Sequence, residues 1–147
     1  MEIDSISSQI QPVGRVLART GTLFLQYLNE KLDYLDIERS FYALILIDLG
    51  QTNLTQQELA CQLEIDKVSV VRIVDYLSGR GYVQRIRSSI DRRKYCLTLT
   101  GKAKEKLPEI KCAIQEANDT AFKGLNELQR REFISTLGIM KNNLRKV

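Results

Sequence analysis

Apolar residues recur at spacings of three and four along most of this chain. Val13, Val16, Leu17, Leu23, Phe24, Tyr27, Leu28 and Leu32 fall on one stripe of a helix. Pro12 suits its start, where a missing N–H costs nothing. Asp36 is expected to cap a second helix through Ile37, Phe41, Leu44, Ile45 and Leu49, ending at Gly50. That helix is apolar on more than one side, which places it centrally. Thr55-Gln56-Gln57-Glu58 is a capping box, with Leu59, Ala60 and Leu63 facing inward behind it. Asp66 caps a fourth helix whose inward stripe is Val70, Ile73, Val74 and Leu77. Two short helices joined by a tight turn predict a helix-turn-helix.

The period then changes. Tyr82 to Arg87 and Lys94 to Leu99 read as two strands, the second alternating through Tyr95, Leu97 and Leu99. The polar loop Ser88–Arg93 joins them. Thr100 caps a fifth helix carrying Leu107, Ile110, Ile114, Ala117 and Ala121, with Pro108 interrupting its early turns. Asn126 and Gln129 form a second box before a last helix with Phe133, Leu137, Met140 and Leu144 on its stripe. The expected fold is mainly α with a small β-hairpin wing: a winged helix-turn-helix of one domain, 147 residues long. Residues 35–101 are its expected lobe. Residues 1–34 and 102–147 supply helices whose apolar stripes need a second copy of the chain to cover them, a dimerisation layer.

Charge adds a direction to this picture. The net charge is only +4. Residues 1–65 carry 4 basic and 9 acidic side chains, and residues 107–147 carry 7 and 5. Residues 66–106 carry 11 and 4, so the positive field comes from the helix-turn-helix and the wing. That is the electrostatic footprint of a polyanion partner. The alternative on charge alone is a solvated basic face.

Absences narrow the chemistry. No histidine is present, which removes Ser-His and Cys-His nucleophile pairs along with histidine metal ligands. The three cysteines form no C-x-x-C pair, and no glycine-rich phosphate loop occurs. Neither enzymatic activity, a metal nor a cofactor is expected. No apolar run approaches the length of a membrane span, and Met1-Glu2-Ile3-Asp4 does not read as a secretory signal. The expected location is cytoplasmic, with no membrane partner.

The stretch Leu54–Ala103 resembles the MarR family of bacterial transcriptional regulators. The resemblance is carried by Leu54-Thr55-Gln56-Gln57-Glu58-Leu59-Ala60, Ile65-Asp66-Lys67, Val74-Asp75-Tyr76-Leu77, Gly81-Tyr82-Val83-Gln84-Arg85, Asp91-Arg92-Arg93 and Leu99-Thr100. It implies a homodimer with interlocking terminal helices, a fourth helix in the major groove and wings in adjacent minor grooves. Two departures stand out. Ala103 occupies the usual glycine position after the second wing strand, and Val68 and Val71 stand where small hydroxylated residues are frequent. A peroxide-sensing thiol in the first helix does not carry over, because the first cysteine is Cys61.

Within that frame, Lys67, Val68, Ser69, Val71 and Arg72 project from the fourth helix. The valines suit thymine methyl groups, Arg72 a bidentate contact to guanine, and Lys67 and Ser69 phosphates. The resemblance implies that Asp91 pairs with a wing arginine to hold the loop while Arg93, beside Arg92, enters the minor groove. Arg85 and Arg87 are open between phosphate contacts and wing salt bridges. Cys61 reads as a small packing residue and Cys96 as the exposed thiol. Tyr27, Tyr34, Phe41 and Tyr42 either belong to the core or line a pocket for a small aromatic or phenolic effector, with Arg15 or Arg19 facing its anionic group. The function expected is a repressor that binds double-stranded DNA as a homodimer on a pseudo-palindromic operator and responds to an effector. The alternatives are a winged-helix protein-interaction module and a thiol-responsive regulator.

Overall fold

The structure is a computed structural model and describes residues 12–145; residues 1–11, which open the expected 1–34 segment, and residues 146–147 lie outside the described part. Its elements follow in the expected order: α1 (Val13–Lys31), α2 (Phe41–Leu49), α3 (Gln56–Leu63), α4 (Lys67–Gly79), β1 (Val83–Arg87), β2 (Tyr95–Leu99), α5 (Gly101–Ala121) and α6 (Glu127–Leu144).

Most helix starts are set by the expected caps. Thr55 Oγ1 accepts the Glu58 N–H at 3.2 Å while Glu58 Oε2 accepts the Thr55 N–H at 2.8 Å. Asp66 Oδ1 accepts the Ser69 N–H at 2.8 Å, Thr100 Oγ1 accepts the Ala103 N–H at 3.2 Å, and Asn126 and Gln129 close a reciprocal box at 2.9 Å each way. The second helix is the exception. It begins at Phe41, after Ser40 in a left-handed conformation (φ 68°), and Asp36 does not cap it. Ile37 is buried in the preceding turn, and the Asp36 carboxylate accepts from the Tyr82 hydroxyl and from Lys102 Nζ. A core tyrosine and a lysine of α5 thus outcompete the local backbone.

The two strands pair antiparallel with Val83 opposite Leu99 and Arg87 opposite Tyr95. Gly81, at φ 79°, makes the left-handed turn from α4 into the wing. On its other side β2 meets the residues ahead of α3, where the Leu97 N–H donates to Leu54 O at 2.8 Å. β2 also packs against α2, α3 and α5. This enclosure covers both faces of the strand: Leu97 and Leu99 are buried as expected, Cys96 on the other face is buried too, and Tyr95 at the start of the strand is exposed. Cys96 is therefore not the exposed thiol. Cys61, expected to pack, is exposed on α3.

One apolar cluster runs from Leu28 through Leu44, Leu59, Val74, Tyr82 and Leu97 to Ile110 and Ala117. It crosses both expected boundaries, 34/35 and 101/102, so α5 completes the core of the winged lobe as well as leading out of it. α6 differs: it buries none of its residues, and Leu128, Phe133, Ile134 and Ile139 are exposed on it. Val13, Val16, Leu17, Leu23 and Leu25 are similarly exposed on α1.

Candidate nucleic-acid interface

Burying Val70, Val74 and Leu77 turns the opposite side of α4 to solvent. Lys67, Val68, Val71 and Arg72 all stand on that side, with Val68 62 % exposed. Ser69 is half-buried. Its N–H and its hydroxyl both donate to Asp66, each at 2.8 Å, so the residue serves the helix cap. The same two bonds hold the Asp66 carboxyl below the usual range.

Asp75, on the exposed side of α4, connects this helix to the wing. Arg85 Nη2 donates to Asp75 Oδ1 at 2.6 Å and to Gln56 Oε1 at 3.1 Å. One guanidinium thereby joins β1, α4 and the first turn of α3. Of the two readings open for Arg85, the salt bridge is the one formed, and its partner lies on α4. Asp75 carries no expected role from the sequence; an acid facing outward on the basic fourth helix is the signal that points to it.

The wing loop is built from main-chain hydrogen bonds. Ser88 N–H donates to Lys94 O, and Lys94 N–H to Asp91 O, both at 2.9 Å. Ser88 Oγ accepts the N–H groups of Ile90 and Asp91 at 3.2 and 3.3 Å. Asp91 Oδ1 accepts the Arg93 N–H at 3.0 Å. Asp91 thus forms no ion pair with a wing arginine, contrary to expectation. A short carboxylate reaches the backbone two residues on more readily than a long side chain in the same loop. Arg87 is likewise engaged within the wing: it donates to Arg92 O at 3.3 Å and lies 5.5 Å from the centre of the Tyr95 ring. Arg92, Arg93 and Lys94 are exposed and form no ion pair among the described residues.

A second polar cluster sits at the far end of α4. Lys102 Nζ lies 2.5 Å from Asp36 Oδ2, donates to Arg80 O at 2.8 Å and sits over the Tyr82 ring. Glu38 N–H donates to Tyr76 Oη at 2.8 Å. The loop before α2, the end of α4 and the first turn of α5 are joined there.

The six expected pocket residues do not converge. Phe41 is core, whereas Tyr42, its neighbour one step around the helix, is exposed. Tyr34 borders an open cleft with Leu32, Pro108 and Glu109. Tyr27 lines a different, mainly apolar cleft of about 260 Å³ with Thr20, Leu23, Phe24, Ala117 and Thr120. Its hydroxyl lies 3.1 Å from Thr120 Oγ1. Arg15 and Arg19 are exposed on α1, and neither lines that cleft. Among the described residues no group of three or more His, Cys, Asp or Glu side chains is placed to hold a metal, and no helix is long and apolar enough to cross a membrane.

Known proteins agree with this arrangement. The MarR family model matches residues 43–95, from α2 to the start of β2. A putative transcriptional regulatory protein for the hcr operon of Thauera aromatica is 28 % identical over 96 residues, 65 % of this chain. The match spans only 58 % of that relative's length. The crystal structure of a MarR transcriptional regulator from Methanosarcina mazei Go1 superposes with a TM-score of 0.73 at 28 % identity, covering 92 % of this chain and 98 % of that one. A mutant of MarR from E. coli, crystallised with operator DNA, gives a TM-score of 0.75 at 25 % identity, with coverage of 92 % and 95 %. The winged lobe matches the MarR family's sequence pattern and nearly the whole fold matches that of solved MarR regulators: this chain has the winged helix-turn-helix fold and is similar to the transcriptional regulators of that family.

Proposed function

We propose that this protein represses transcription by binding double-stranded DNA as a homodimer on a pseudo-palindromic operator in the cytoplasm. The observation that carries the reading is the joining of the exposed face of α4 to the basic wing through Arg85 and Asp75. On one surface this presents Val68 and Val71 for thymine methyl groups, Arg72 for guanine, Lys67 for phosphate, and Arg92 and Arg93 for the adjacent minor groove. The E. coli relative held on operator DNA supports the same use of this fold. The homodimer is supported by α6 and α1, whose exposed apolar residues lack cover within the chain. On this reading residues 1–34 and 102–147 carry the subunit interface, and α5 belongs to both layers. No chemical step and no cofactor is involved.

Effector control is a second element of the reading, favoured by the cleft between α1 and α5. A small apolar molecule of about the cleft's 260 Å³ would lie against Tyr27 and Phe24, between a helix of the interface and the helix that completes the DNA-binding lobe. Seating it there would alter the spacing of the two recognition helices and so release DNA.

Selection of binding sites from random-sequence DNA tests the main reading. The wild-type chain is expected to enrich a two-fold symmetric site. Arg72→Ala should weaken binding by about 1–3 kcal/mol per half-site and relax the preference at one position. Failure to enrich any site overturns the reading, and an unchanged preference removes Arg72 from base contact.

A further inference from the structure

Ile90 stands at the tip of the wing with 88 % of its surface exposed, more than any other large apolar residue among the described ones. Isolated apolar residues on a protein surface are ordinary. Two features distinguish this one. First, the turn that carries it is fixed by hydrogen bonds that involve the Ile90 backbone and not its side chain: the Ile90 N–H donates to Ser88 Oγ, and Asp91 holds Arg93 and Lys94. Nothing in the turn calls for an aliphatic side chain. Second, beyond the adjacent Asp91 the loop carries the exposed Arg92, Arg93 and Lys94, so the one apolar group at the tip lies beside three positive charges and one negative.

We propose that Ile90 is a direct contact to the minor groove of duplex DNA, packing its branched side chain against deoxyribose and base edges beside the wing arginines. The proposal rests on the DNA-binding reading above and deepens it. The minor groove of B-DNA is about 6 Å wide, narrow enough for a branched aliphatic chain to touch sugar on both walls. Aliphatic side chains are among those that proteins insert there. Because the turn is already fixed, little conformational freedom is lost when the tip enters the groove. The arginines and the isoleucine then act by different physics. The arginines release condensed cations from the phosphates, a contribution that weakens as salt rises. The isoleucine removes apolar surface from water, a contribution that does not depend on counterions.

That difference is the test. The full-length chain and its Ile90→Ser, Ile90→Val and Arg93→Ala variants are titrated with a fluorescein-labelled duplex of about 30 base pairs, long enough for two half-sites. Its sequence is one the wild-type chain enriches from random DNA. Ile90→Ser is expected to weaken binding about 10-fold at every salt concentration, with the same log-log salt slope as wild type. Ile90→Val should weaken it by less than about 3-fold, whereas Arg93→Ala should flatten the slope. Hydroxyl-radical footprints, which report access to the minor-groove sugars, should lose protection at the wing positions in Ile90→Ser alone of the two Ile90 variants. Thermal melting checks that each variant is folded; the exposed position predicts an unchanged midpoint. Wild-type binding with an unaltered Ile90→Ser affinity overturns the proposal and leaves the DNA reading standing. A weakened Ile90→Ser with a flattened slope also overturns it, because the effect would then be electrostatic. A changed oligomeric state of Ile90→Ser in sedimentation, with duplex affinity intact, would assign Ile90 to a second copy of the chain and overturn it too. Absence of any duplex binding by the wild-type chain fells both readings together.

Discussion

Arg85 Nη2 on the first wing strand lies 2.6 Å from Asp75 Oδ1 on α4, and the same guanidinium reaches Gln56 at the start of α3. The two elements proposed to enter neighbouring grooves are therefore bridged by one side chain. Asp75 is 60 % exposed and Arg85 34 %, so the pair contributes little to folding, about 0–1 kcal/mol. The role we propose for it is alignment.

A sign distinguishes alignment from simple electrostatics. Removing a negative charge from a DNA-facing surface should tighten binding if only charge mattered. If Asp75 instead sets the wing angle, Asp75→Asn should weaken binding by about 3- to 10-fold, with melting temperature nearly unchanged. The Asp75→Asn, Arg85→Ala double variant should then be little worse than either single one, because both break the same contact. Anisotropy titrations of all four proteins decide this, and tighter binding by Asp75→Asn rejects the alignment role.

Asp91 yields a sharper comparison, because its carboxylate oxygen is used as an acceptor and its charge has no partner. Asp91 Oδ1 receives the Arg93 N–H. Asparagine retains that oxygen; alanine does not. Asp91→Asn should bind DNA at least as well as wild type, and Asp91→Ala should bind about 3- to 10-fold more weakly through a loosened loop, on the order of one lost hydrogen bond. Equal affinities for the two variants would show that the acceptor is irrelevant.

The fold was legible because its signals are local. Thr55 with Glu58, Asp66, Thr100 and Asn126 with Gln129 announce helix starts within four residues of sequence, and each forms the bond expected of it. What was not legible depended on distant partners. Asp36 carries the local signature of a cap, but Tyr82 and Lys102, 46 and 66 residues further on, take its carboxylate. Cys96 was misplaced because simple alternation assumes a strand with one wet face, whereas the Leu54 carbonyl pairs to β2 from the other side. Phe41 and Tyr42 are adjacent in sequence and so could not both face one pocket. In the candidate site, the exposure of Lys67, Val68, Val71, Arg72, Arg92 and Arg93 could be read from helix phase and motif. The Arg85–Asp75 contact could not, because it depends on how the hairpin folds back over α4.

The exposed apolar face of α6 makes a prediction about assembly. Ile134 and Ile139 are 58 % and 59 % exposed, and the helix buries no residue within its own chain. Ile134→Asp should turn a dimer into a monomer in sedimentation while a cooperative melt persists, since the core from Leu28 to Ala117 excludes α6. Affinity for a two-half-site duplex should fall about 100-fold or more, because the second half-site is no longer tethered to the first. A dimer that survives Ile134→Asp with full DNA affinity would place the interface elsewhere.

Asp36 links the last turn before α2 to α5, and its titration predicts how stability responds to acid. The hydrogen bond from Lys102 is the larger cause, and that from Tyr82 the next, of a carboxyl held below its ordinary value of 3.8. A depressed folded value means that the unfolded chain binds the proton more readily. The contribution is therefore full above about pH 5 and is lost as pH falls through 3.8 toward the folded value. Asp36→Asn removes the charge at every pH. Its melting temperature should lie below wild type by about 2–4 °C near neutrality, an effect of about 1 kcal/mol once solvent screening of this half-exposed pair is allowed for. The gap should close below about pH 4. Glu58, Glu64 and Asp66 are shifted in the same direction by their own hydrogen bonds, so wild type alone would lose stability in acid for several reasons. The difference between wild type and Asp36→Asn isolates the one group. Lys102→Met should lower the neutral-pH melting point similarly and make it less sensitive to Asp36→Asn, because the two residues share the contact. A wild-type advantage that stays constant down to pH 2 would mean that the shape of Asp36 matters and its charge does not.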